Sequence, residues 1–128
     1  MDFSFSKDEK LKSKKVIDSL FSNGKSVAKY PLRLVYIEAP EEQNVPLKMG
    51  VSVSKKHFKH AVDRNYFKRV LRECYRLNKN LLIQNLNKKY SAMFFYQTSD
   101  RLSYQEINDK TIQLFDKFIA TENENKNK

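Results

Sequence analysis

Apolar and polar positions alternate along this chain in two rhythms, one helical and one of strands. Val16, Ile17, Leu20 and Phe21 recur at helical spacing. Ser13 is placed to cap that helix, and Asn23-Gly24 to end it, with the glycine expected in the left-handed conformation. Leu32 to Ile37 reads as a strand of β-branched and aromatic residues, and Ala39 to Pro46 as a polar loop. Lys48 to Ser54 reads as a second strand, with Met49, Val51 and Val53 on one face and Gly50, Ser52 and Ser54 on the other. A long helix is predicted from about His60 to Leu77, and a short one within 78–89 on Leu81, Leu82 and Leu86. Ala92 to Tyr96 is a third strand. Ser103 and Glu106 form a capping box opening a last helix, with Ile107, Thr111, Leu114, Phe115 and Phe118 inward. Residues 1–12 are expected as an extended polar arm, and 121–128 as a disordered polar tail. The predicted order is α-β-β-α-β-α, an antiparallel hairpin plus a strand joined through a helix. That is an α+β fold, a two-layer α/β sandwich, in one domain over 1–128 with its ordered core at about 10–120.

Charge changes the picture. Residues 48–79 hold ten Lys or Arg against two acids, Asp63 and Glu73, and so carry +8 of the chain's net +10. Elsewhere the signs nearly balance. A cationic surface this concentrated is the footprint of a polyanion, nucleic acid being the commonest. An anionic membrane surface fits less well, because no helix sets Trp and Leu opposite Lys.

On a wheel of about 100° per residue, Phe67, Val70, Leu71, Cys74 and Leu77 cluster on one side of the long helix. Arg64, Asn65, Lys68, Arg69, Arg72, Arg76 and Lys79 spread over the other. A merely solvated face mixes signs, because opposite charges four residues apart stabilise a helix and like charges repel. Here Arg64, Lys68, Arg72 and Arg76 repeat at four-residue spacing with only Glu73 beside them. Phosphates would relieve that repulsion. Arg forks bind phosphate oxygens in pairs, and Asn65 can reach a ribose hydroxyl or a base edge. Lys55 and Lys56 leave the second strand just before the helix and extend the surface.

Other chemistry is thinly supported. The single Cys74 cannot form an internal disulfide, which fits a reducing compartment. No secretory signal is read at the N-terminus, and no stretch approaches the ~20 apolar residues that span a bilayer. A cytoplasmic location is therefore expected. His57 and His60 lie three apart, but only Asp63 is near to complete a metal site. The acids are too scattered for a protein-only nuclease, so no catalytic residue and no protein-bound metal is assigned.

The run Arg64-Asn65-Tyr66-Phe67-Lys68-Arg69-Val70-Leu71-Arg72-Glu73 resembles the signature of the bacterial ribonuclease P protein subunit. Gly50 to Lys56, Leu11 to Gly24 and Leu102 to Glu106 resemble the flanking parts of that family, so the likeness spans roughly 10–118. It implies a ribosomal-protein-like sandwich with a left-handed β-α-β crossover. It also implies a partnership with a catalytic RNA subunit and with precursor tRNA, whose 5′ end the complex matures. Hydrolysis and Mg2+ would belong to the RNA, with no cofactor held by the protein alone, and neither DNA nor membrane is expected as a partner. Carried over by position, Arg64, Asn65, Lys68, Arg69 and Arg72 match the RNA-contacting motif. Ile17, Phe21 and Tyr36 match positions facing a cleft for the 5′ leader, and Ser52 and Ser54 are added to it only as residues of the same sheet. Tyr66, Ile17 and the pair Tyr96-Gln97 depart from the family's residues, which are frequently basic, aromatic and basic at those places. Two alternatives are a ribosomal-type structural RNA binder with no part in cleavage, and a protein-only nuclease.

Overall fold

The computed structural model describes residues 5–126, so residues 1–4 of the expected arm and 127–128 of the expected tail lie outside the described residues. After a 3-10 turn at Lys7–Glu9 come α1 (Lys14–Asn23), β1 (Lys25–Lys29), β2 (Leu32–Glu38), β3 (Leu47–Val53), α2 (Ala61–Asn85), β4 (Tyr90–Tyr96) and α3 (Tyr104–Lys126). The α+β class is as expected, with one more strand.

That strand, β1, was not foreseen because its sequence barely patterns: Val27 is its one buried residue, between lysines at both ends. Pairing with β2 defines it, Val27 opposite Leu34. Lysines on such an edge discourage pairing with another chain.

The sheet runs β1-β2-β4-β3. The expected hairpin between the strands at 32–37 and 48–54 does not form. β4 inserts between them, antiparallel to β2 and parallel to β3. Parallel neighbours need a long crossover, and α2 supplies it. β4 is buried at every position except the half-buried Phe95, as a strand covered on both faces must be.

Strand alternation splits the core in two. Leu32, Leu34 and Tyr36 of β2 join Phe94 of β4 and Met49 of β3 beneath α2 and α3. Val35, Ile37, Met93 and Phe95 face the other way, where α1 packs Val16, Ile17 and Leu20 against them. Ser13 caps α1 as expected, its Oγ accepting from Val16 N at 3.3 Å.

Gly24 ends α1, but with φ −71° and ψ 150°, not in the left-handed region. Glycine is required there by crowding. A Cβ would strike the Leu20 carbonyl oxygen and come within 2.9 Å of Val35 Cγ1. Gly24→Ala is expected to lower stability by about 1–3 kcal/mol, the usual cost of overpacking, read from denaturant unfolding.

α2 runs unbroken through the segment expected as a separate helix, because Leu82 continues its buried stripe. Phe67, Val70, Leu71 and Cys74 are buried as predicted, together with Tyr75. Leu77 is 39% exposed, since it sits about 120° from the stripe's centre. Lys79, assigned to the cationic face, is instead 2% exposed and bonded to Glu9 at 2.8 and 3.1 Å. This pair ties the N-terminal segment down, as do Leu11 N donating to Met49 O at 3.1 Å and a parallel bridge from Lys10 to Met49. The segment from Phe5 is thus docked on the body of the fold.

α3 opens with the predicted box: Ser103 N donates to Glu106 Oε1 at 3.1 Å and Glu106 N to Ser103 Oγ at 3.2 Å. All five of its predicted inward residues are fully buried. Contrary to the disordered tail expected, it stays helical to Lys126. Glu122 accepts from the hydroxyls of Tyr36 and Tyr90 at 2.7 and 2.8 Å, giving two largely buried phenols an acceptor.

Candidate nucleic-acid interface

Packing makes the outer face of α2 a rigid platform. Phe67 stacks between Phe58 and Tyr96, each at 4.7 Å between ring centroids, which anchors the first turns of the helix. Burial raises the Cys74 thiol to about 11, so this group is no nucleophile near neutral pH.

From that platform Asn65, Arg69 and Arg72 project into solvent, and Lys68 is half-buried. Among the described residues no ion pair engages Lys68, Arg69 or Arg72. Lys55 and Lys56 are exposed in the turn after β3, where the Ser54 carbonyl accepts from His57 N and Phe58 N. Two predicted cations are more constrained. Arg64 Nη1 donates to the carbonyls of Phe58 and Lys59 at 2.9 and 2.8 Å, fastening the loop to the helix. Arg76 is held by Glu73, its Nε donating to Oε2 at 3.0 Å, and the same bond keeps the Glu73 carboxyl below its usual range. Asp63, the other acid of this region, is taken up by Arg101 at 3.0 Å. The surface is therefore cationic without internal neutralisation over Lys68, Arg69 and Arg72.

A second surface lies between α1 and the sheet. Phe21 is 63% exposed and meets Phe95 edge-on, with ring centroids 6.1 Å apart. Ile17 is half-buried in the same apolar group. Ser52 pairs with Phe95 across β3 and β4, on this face. Ser54 lies past the end of β3, exposed in the turn toward α2, and does not line the sheet. Tyr36 is a correction: it points to the opposite face, packed on Phe118 at 4.3 Å under α3. Its neighbour Val35 takes the α1 side, because adjacent strand residues alternate. Phe95 and Met93 belong to the surface although they were not singled out. Strand parity was the available signal, but the predicted hairpin concealed it.

The two surfaces meet. An open groove of about 250 Å³ is lined by Lys10, Leu11, Lys12, Gly50 and Met93 together with Arg72 of α2. Gly50 keeps its floor low, since a Cβ there would lie 3.0 Å from the Met93 sulfur. An adjoining groove of about 240 Å³ adds Lys7 and Lys48, with Asp8 as its one acid. Lys10 and Lys12 were unremarkable in a mixed-sign segment, and only docking of that segment beside β3 brings them to Arg72. Basic side chains over grooves, with an exposed ring beyond, suit a flexible polyanion with stackable bases. His57 and His60 remain near the start of α2, and among the described residues no three His, Cys, Asp or Glu side chains converge as metal ligands.

The sequence model of the Ribonuclease P family matches residues 5–119. A ribonuclease P protein component from Porphyromonas gingivalis is 43% identical over 102 residues, covering 78% of this chain and 74% of that one. One from Clostridium botulinum is 34% identical over 113 residues, covering 87% and 95%. The fold is similar to that of the Staphylococcus aureus RNase P protein, with a TM-score of 0.70 at 19% identity over 84% of this chain and 93% of that one. The Thermotoga maritima RNase P protein gives 0.67 at 20% identity over 84% and 94%.

Proposed function

The chain belongs to the ribonuclease P protein family, and from that premise we propose how it works: α2 grips the catalytic RNA subunit, and the groove beside α1 holds the 5′ leader of precursor tRNA. The observation that carries this is the set of Lys68, Arg69 and Arg72, displayed by a helix whose opposite side is buried and paired with no acid among the described residues. The role is electrostatic and geometric. The cations reduce repulsion between two RNAs, and the apolar cleft keeps a single strand in line. Bond cleavage and its Mg2+ belong to the RNA subunit, and the assembly works in the cytoplasm.

With about five phosphates engaged, the logarithm of affinity should fall against the logarithm of salt with a slope of roughly −4. A titration of the RNA subunit across potassium chloride concentrations measures it, and a slope near zero refutes the mechanism. Reconstitution separates the alternatives. At low magnesium, adding the protein to RNA subunit and precursor tRNA should restore 5′ processing. A structural RNA binder would restore none, and a protein-only nuclease would cut without the RNA subunit.

A further inference from the structure

One guanidinium on the α1 side of the sheet belongs to neither the α2 face nor the family signature. Strand register sets Ser52, Phe95 and Arg33 side by side across β3, β4 and β2. Alternation turns all three away from the helix layer, where Leu34 and Phe94 are buried. Arg33 is half-buried, and its Nη1 donates to Ser26 Oγ on β1 at 3.0 Å. No carboxylate among the described residues pairs with it. Phe21 stands over the same row, largely exposed, against the ring of Phe95.

We propose that Arg33 is the phosphate-holding residue of a single-nucleotide subsite in which Phe21 and Phe95 receive the base. The inference rests on the cleft reading above and names its chemistry. A planar fork steadied by a β1 hydroxyl still presents donors to two phosphate oxygens. Its strand is interior to the sheet, so its position is set by ladders on both sides. Phe21 is largely exposed with Phe95 against its edge, so the pair offers an apolar surface to a flat partner, and a base supplies one. The base must be unpaired, because a duplex hides base faces in its own stack.

The test uses the protein assembled with its RNA subunit and compares precursor tRNA carrying an unpaired leader with tRNA lacking one, at several salt concentrations. Wild-type protein should bind the leader-bearing substrate more tightly. If it binds both alike, the cleft reading itself fails. Given that preference, Arg33→Gln should lose about tenfold in affinity for the leader-bearing substrate, as expected for one charged hydrogen-bonding contact, and should leave the leaderless substrate unaffected. Its salt slope should shrink by about 0.7, the single-strand value for one phosphate. Arg33→Lys should restore the slope and only part of the affinity. Phe95→Leu should weaken leader binding with the slope unchanged. Arg33→Gln that binds leader like wild type, or that loses equally on both substrates, overturns the assignment to Arg33 while leaving the cleft reading standing.

Discussion

Replacing Lys68, Arg69 and Arg72 together by alanine should lower affinity for the RNA subunit by about a thousandfold while the fold melts as before. Each charge-assisted contact to phosphate contributes about 1.5–3 kcal/mol, so three lost contacts reach at least that factor. Arg69 and Arg72 are exposed, Lys68 is half-buried, and none holds an acid among the described residues, so the folded state loses little. The salt slope should fall by about 2–3 units, since three fewer counterions are released. Binding isotherms across salt, with circular dichroism melts alongside, measure both quantities. An unchanged slope would mean that these cations do not meet phosphates. Arg64→Ala is a different experiment. That side chain fastens the Phe58 and Lys59 carbonyls, so its removal should weaken the fold as well as the complex. Arg76→Ala should have the smaller effect on binding, because Glu73 already occupies its guanidinium.

Removing the carboxylate of Glu9 should have the largest effect on stability. Lys79 is 2% exposed, and Glu9 Oε1 and Oε2 accept from its Nζ at 2.8 and 3.1 Å. Glu9→Ala leaves that ammonium buried without its carboxylate, a loss of about 3–5 kcal/mol. For a domain of this size the melting temperature should drop by at least about 10 °C. The double variant Glu9→Leu with Lys79→Met should recover most of the loss, since apolar replacements of similar volume leave no charge stranded. Thermal and urea unfolding of all variants decide the matter, and a cost below about 1 kcal/mol for Glu9→Ala would show that water reaches the pair. The consequence extends to binding, because the same segment carries Lys10 and Lys12 to the groove beside Arg72.

The departures from sequence expectation share a cause. Phe67, Leu71 and Cys74 announced the buried side of α2 because helical periodicity is local. Lys79 and Tyr36 did not announce theirs. Lys79 is inside only because Glu9, seventy positions away, is folded over it. Tyr36 was placed in the cleft by likeness of position, yet its parity in β2 sends it under α3, where Glu122 waits for its hydroxyl. β1 depended on β2 for definition, and the insertion of β4 between β2 and β3 was hidden in the strand pattern itself, where the two looked like a hairpin. Arg33 lay unnoticed in a strand of apolar neighbours, because only the register across three strands sets it next to Phe95.

What one-dimensional order determined here was local: where the three helices begin, which side of α2 is apolar, the N-terminal caps of α1 and α3, and the concentration of charge between 48 and 79. Each depends on residues within a few positions of one another, through periodicity and short hydrogen bonds. What the tertiary structure decided was adjacency: the sheet order, the docking of the N-terminal segment, the face each strand residue occupies, and the union of Arg72 of α2 with a groove beside that segment. Those outcomes come from contacts between residues far apart in the chain, where burial and pairing between elements outweigh local preference.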